Sequence, residues 1–103
     1  MTALARPDND ALLSTRAHVP EHVVYRAFVQ ETVVLNLETG RYQGRNPTGG
    51  RILDLLGGGH TVGSAARALA EEYQRPVPDV EHDVCTFCTD LLDRGLIELD
   101  GDG

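Results

Sequence analysis

Cys85 and Cys88 form a Cys-x-x-Cys pair, the spacing at which two thiols exchange a disulfide or supply half of a zinc site. Their setting favours neither chemistry. A redox pair of this type follows a strand and sits at a helix N-terminus that lowers the thiol pKa, whereas the apolar spacing here places both residues mid-helix, with Cys88 on the apolar face. A structural zinc needs four ligands, and His18, His22, His60 and His82 lack finger spacing; His82 near Cys85 is the one approach of interest. No Ser/His/Asp grouping emerges. Gly57-Gly58-Gly59 lacks the Lys-Ser/Thr of a phosphate loop, and Glu71-Glu72 reads as a solvated helix face rather than an acid/base pair. Neither catalytic residues, a cofactor nor a metal is expected.

The elements that position these groups follow from periodicity. Val23–Phe28 is rich in β-branched and aromatic residues and predicts a first strand. Thr32–Leu37 alternates at period two, Glu38-Thr39-Gly40 supplies turn residues, and Arg41–Arg45 resumes an extended run, so the three strands form an antiparallel meander. Asn46-Pro47 opens a helix over Pro47–Leu56: Asn caps the first turn, and Pro lacks the N–H that would have no partner there. Gly49 and Gly50 should make that start soft, each costing about 1 kcal/mol relative to Ala. Gly57-Gly58-Gly59 ends the helix and Thr61 caps the next, Val62–Tyr73, with Val62, Ala65, Ala66, Leu69 and Tyr73 on one face. Pro76 and Pro78 close that segment. A third helix over Asp79–Arg94 carries Val80, Val84, Phe87, Cys88, Leu91 and Leu92 at core spacing and exits at Gly95, and Leu96–Leu99 reads as a final strand or wing.

At 103 residues the chain makes one domain with a single modest core, built from aliphatics because aromatics are 5% and Trp is absent. The organisation read from it is a flexible lead-in over 1–17, with Ala11-Leu12-Leu13 able to lie against the domain edge, a folded domain over 18–99, and a frayed tail over 100–103. No apolar run reaches transmembrane length, residues 1–17 lack a signal-peptide pattern, and a cytoplasmic location is expected. A formal net charge of −7 argues against general binding to nucleic acid or anionic membranes.

Residues 19–99 resemble the PqqD-like family, the peptide-binding domains called RiPP recognition elements. The resemblance rests on Val33-Val34-Leu35-Asn36-Leu37-Glu38-Thr39-Gly40-Arg41-Tyr42, then Asn46-Pro47-Thr48-Gly49, then Asp83-Val84 and Gly95-Leu96, in that order and approximate spacing. It implies an α+β fold, a small winged helix-turn-helix with a three-stranded antiparallel sheet followed by three helices. It also implies a non-catalytic protein that holds the leader of a ribosomally made precursor peptide for modifying enzymes. The turn Asn36–Tyr42 looks more like the stand-alone proteins of lasso-peptide clusters than like members serving quinone-cofactor synthesis. The partners so implied are the precursor leader, a leader peptidase and a cyclase, and the leader would offer a Tyr and a Pro three residues apart.

In such domains the leader adds as a strand to the third strand and lies in a groove against the third helix. Here that ladder is Arg41, Tyr42, Gln43, Gly44 and Arg45, with Gly44 admitting a close backbone and Tyr42 either a pocket wall or a core aromatic. Val84, Phe87 and Leu91 offer apolar surface or belong to the core. Asp83 and Asp90 either pair with basic leader residues or are simply solvated. Arg45 departs from the apolar residue the family usually places before Asn-Pro. The alternatives are a recognition element for a different RiPP or quinone-cofactor pathway, or a DNA-binding winged-helix regulator, which Asp79, Glu81, Asp83, Asp90 and Asp93 against Arg94 on the candidate recognition helix oppose.

Overall fold

A computed structural model describes residues 9–100. Their order is α1 (Asn9–Leu13), β1 (Ala17–His18), β2 (Val23–Ala27), β3 (Thr32–Asn36), β4 (Tyr42–Arg45), α2 (Pro47–Gly57), α3 (Val62–Tyr73), α4 (Val77–Asp93) and β5 (Glu98–Leu99). The architecture is α+β, with the expected three-stranded antiparallel sheet, order β2-β3-β4, followed by three helices. A second, two-stranded sheet pairs Ala17 with Leu99 and His18 with Glu98, so the last described strand is closed by the segment just before β2.

Capping chemistry sets the helix starts. The Asn46 side chain accepts from the Gly49 N–H and Thr61 from the Ser64 N–H, both as their residue types require. In α4 the boundary shifts: Pro78 does not close the preceding segment but lies in the helix's first turn, where its missing N–H costs nothing, and Pro76 occupies the cap position. In the hairpin between β3 and β4, Asn36 Oδ1 accepts from the Glu38 and Thr39 N–H groups, and Gly40 takes φ +73°, a left-handed geometry that favours glycine.

The lead-in expected over 1–17 is, from Asn9 onward, part of the packed structure; residues 1–8 and 101–103 lie outside the described residues. Leu12 is fully buried and α1 packs on α3 and α4. A Cβ on Gly63 would stand 2.7 Å from the Leu13 carbonyl oxygen, so α1 approaches α3 closely only because that position lacks a side chain. The chain then clasps the α2–α3 turn: Val62 N–H donates to the Thr15 carbonyl, Arg16 Nε donates to the Gly59 carbonyl at 2.9 Å, and Asp100 N–H donates to the Arg16 carbonyl.

The same packing explains the cysteines. Cys88 faces the core as the periodicity indicates, but Cys85 is buried too, under α1, with its thiol 4.0 Å from the Asn9 carbonyl. Both thiols are unpaired and burial pushes their pKa values up, that of Cys88 to about 12. They fill core volume. Among the described residues no group of three or more His, Cys, Asp or Glu side chains could hold a metal, and no helix is long and apolar enough to cross a membrane.

Candidate functional site

The edge strand β4 is where local sequence and exposed backbone meet. Thr32 pairs with Arg45, Val34 with Gln43 and Leu35 with Tyr42. Asn36 N–H donates to the Arg41 carbonyl, and in an antiparallel ladder the bonded pairs recur every second residue. Gln43 and Arg45 therefore bond inward to β3. The N–H and C=O groups of Tyr42 and Gly44 face the open edge, where no described strand pairs with them. Because side chains alternate, Arg41, Gln43 and Arg45 share the helix-facing side with buried Val34 and Thr32. Tyr42 and Gly44 lie on the other face.

That alternation decides Tyr42. It is 72% exposed, level with Leu35 and with Val24 on β2, and is neither a pocket wall nor a core aromatic. A Cβ on Gly44 would meet the end of the Glu31 side chain at 2.6 Å, a flexible neighbour on the same outer side.

Beyond the end of β4 lies a hollow of about 630 Å³. Its floor is apolar, made by Ile52 of α2, Leu69 of α3, and Val80 and Val84 of α4, with Phe87 and Tyr73 as aromatic walls. Arg45, Asn46, Thr48, Arg75, His82, Asp83 and Asp90 form its polar rim. The wall at Phe87 depends on Gly49, whose Cβ would stand 2.8 Å from Phe87 Cε1. Gly50, one residue on, donates its N–H to Thr32 Oγ1 at 2.8 Å, and a Cβ there would lie 2.9 Å from that of Ala27. The two glycines are therefore buried contact points that seat α2 on the sheet and against Phe87, not merely a soft helix start.

Of the sequence candidates, Arg45, Asp83, Val84, Phe87 and Asp90 come together around this hollow. Leu91 does not, being fully buried in the core. Arg41 and Gln43 line a second hollow with Asn36, Thr39, Arg94 and Leu96, at the start of β4. Sequence reasoning missed Tyr73, Arg75, His82 and Arg94, because they reach the site from the ends of α3 and α4 and no spacing along one element joins them.

Neither acidic candidate stands unpaired. Asp83 binds Arg75 at 3.0 Å, while Asp90 accepts from Arg45 Nη2 at 2.5 Å and from Arg94 Nε at 3.0 Å. Arg45 also donates to Gln43 Oε1 at 2.7 Å. Partial burial raises the Asp90 pKa, but the hydrogen bonds and charges of Arg94 and Arg45 outweigh it and hold the carboxyl below its usual range. A polar bridge thus links β4 to α4 and separates the two hollows. The Arg45 that breaks the family's apolar preference has a structural partner in Asp90.

An open strand edge beside an apolar hollow defines a peptide-binding class of site, and the comparisons agree on its family. The sequence pattern described as coenzyme PQQ synthesis protein D (PqqD) matches residues 31–97, and the chain belongs to that family. Among solved structures, the fold is similar to TbiB1 in complex with the TbiA(beta) leader peptide, at 32% identity and a TM-score of 0.69, covering 84% of this chain and 98% of that one. It is also similar in fold to a lasso peptide synthetase B1 complexed with its leader peptide, at 24% identity and a TM-score of 0.70, covering 80% and 96% of the two chains. No curated protein matches in sequence.

Proposed function

We propose that this chain is a non-catalytic recognition element for the leader of a ribosomally made precursor peptide, working in lasso-peptide maturation and presenting the leader to a separate leader peptidase and cyclase. The observation that carries the reading is the open β4 edge above an apolar hollow, in a chain 32% identical along nearly all of a protein solved with a leader peptide bound. Backbone groups of Tyr42 and Gly44 would extend the sheet by one strand, giving affinity with little sequence preference. The hollow walled by Phe87 and Tyr73 would select an apolar or aromatic side chain on the leader.

The turn Asn36–Tyr42 and the likeness in fold to a lasso peptide synthetase B1 favour lasso maturation over quinone-cofactor synthesis, from which the family takes its description. Duplex DNA is disfavoured by the carboxylates along α4, which would repel phosphates rather than release counterions. The test is fluorescence anisotropy with a labelled leader encoded beside this protein's gene, with its tyrosine changed to alanine as one control and a random duplex as another. Micromolar or tighter binding of the unchanged leader alone is expected. Duplex binding that weakens as salt rises, with no leader binding, would overturn the reading.

A further inference from the structure

The second hollow, at the start of β4, differs from the first in chemistry. It measures about 520 Å³ and is lined, among the described residues, by Asn36, Thr39, Arg41, Gln43, Arg94 and Leu96, two guanidiniums and no carboxylate. In a chain of net charge −7 this is a local reversal of sign. The adjoining bridge does not cancel it: Asp90 is one carboxylate shared between Arg45 and Arg94. Arg41 has no carboxylate in ion-pair contact among the described residues. The lining acceptor Asn36 Oδ1 is already occupied by the N–H groups of Glu38 and Thr39, and Gln43 Oε1 by Arg45, which leaves the hollow rich in donors.

Resting on the leader-recognition reading, we infer that this hollow is a carboxylate subsite, which takes an Asp or Glu side chain of the bound leader between Arg41 and Arg94. The chemistry fits a planar anion. Guanidinium groups donate paired N–H bonds to a carboxylate, and the Gln43 carboxamide adds a neutral donor. Position follows from the strand. Arg41 and Arg45 stand four residues apart on the same side of an extended chain, about 13 Å at the usual rise. A strand added along β4 therefore carries its acidic residue about four positions from the side chain that enters the apolar hollow, on the same face. The bridge Gln43–Arg45–Asp90 lies between the two subsites and enforces that separation. The two ends of the groove then read different chemistry and so orient the leader along β4.

The experiment is anisotropy with the neighbouring-gene leader, each of its acidic residues changed in turn to the amide, against the unmodified protein and against Arg41→Gln and Arg41→Glu. One acid-to-amide change should weaken binding by about threefold to tenfold, and Arg41→Gln should cause a similar loss that the same amide leader does not deepen. A leader with that acid changed to lysine should bind Arg41→Glu better than it binds the unmodified protein. Full affinity of Arg41→Gln for the unchanged leader, or no effect of any amide change, would overturn the subsite while leaving leader recognition standing. Failure of the unmodified protein to bind the unchanged leader would overturn both.

Discussion

At the scale of residues, the glycines at the start of α2 carry more consequence than the charged groups. Gly49→Ala puts a methyl where Phe87 Cε1 now lies 2.8 Å away, so the ring that walls the hollow must shift to admit it. Stability should change by less than about 1 kcal/mol, since helix propensity offsets the crowding, while leader affinity falls roughly tenfold. Urea unfolding and leader anisotropy on one preparation would check the split; a variant that binds as well as the parent would refute it. Gly50→Ala meets the backbone-anchored Cβ of Ala27 and the Thr32 hydroxyl, neither able to swing away, and should lose about 1–3 kcal/mol. Cys85 and Cys88 should resist a thiol reagent in the native protein at pH 7.5 and react only on unfolding, because burial raises both thiols and closes access. Fast labelling under native conditions would contradict that packing.

Among elements, the clasp of β1 on β5 is tuned by His18. Its ring contacts Asp100 Oδ1 at 2.5 Å and Glu98 Oε1 at 3.2 Å, and the hydrogen bond that the ring donates to the Asp100 carboxylate is the chief cause that raises its pKa, against a smaller opposing effect of burial. A raised folded pKa means the imidazolium stabilises the native state fully below the unfolded value of 6.5, and that contribution is lost as pH rises through the folded pKa. Urea midpoints should therefore fall between about pH 6 and pH 8 more for the parent than for His18→Gln. Parallel profiles would show that the clasp does not titrate. Asp90 has the opposite sign: its depressed pKa supports stability above the ordinary carboxylate range and the support is lost as pH falls through the folded value.

For the whole molecule, the N-terminal segment is the part whose role changes most between sequence and structure. Leu12 fills a site between α3 and α4, and Thr15 and Arg16 bond to the turn and to the C-terminal segment. Leu12→Ala should lose about 2–5 kcal/mol, a cost expected of a core leucine and not of a mobile leader. A variant with an unchanged thermal midpoint would show the segment to be dispensable. Strand β1 pairs with β5 and the Arg16 carbonyl accepts from the Asp100 N–H, so truncation before Ala17 removes α1 and the residue that holds Asp100.

The periodicities of the strands and helices, the Asn46 and Thr61 caps and the turn at Glu38-Thr39-Gly40 were legible in sequence because each depends on residues within a few positions of one another. Strand β4 was legible from the extended run after the turn, and the place of Phe87 and Asp83 on the last long helix from helical spacing. Other features needed the tertiary structure. The burial of Cys85, the seat of Gly49 against Phe87, the pairing of Asp90 with Arg45 and Arg94, and the outward turn of Tyr42 arise where elements distant in the chain pack together. A helix pattern states which face is apolar but not what covers the rest, and a strand pattern fixes alternation but not which face the helices choose. Local chemistry thus determined the elements and their order, whereas long-range packing decided which side chains face the groove and which charges are already taken.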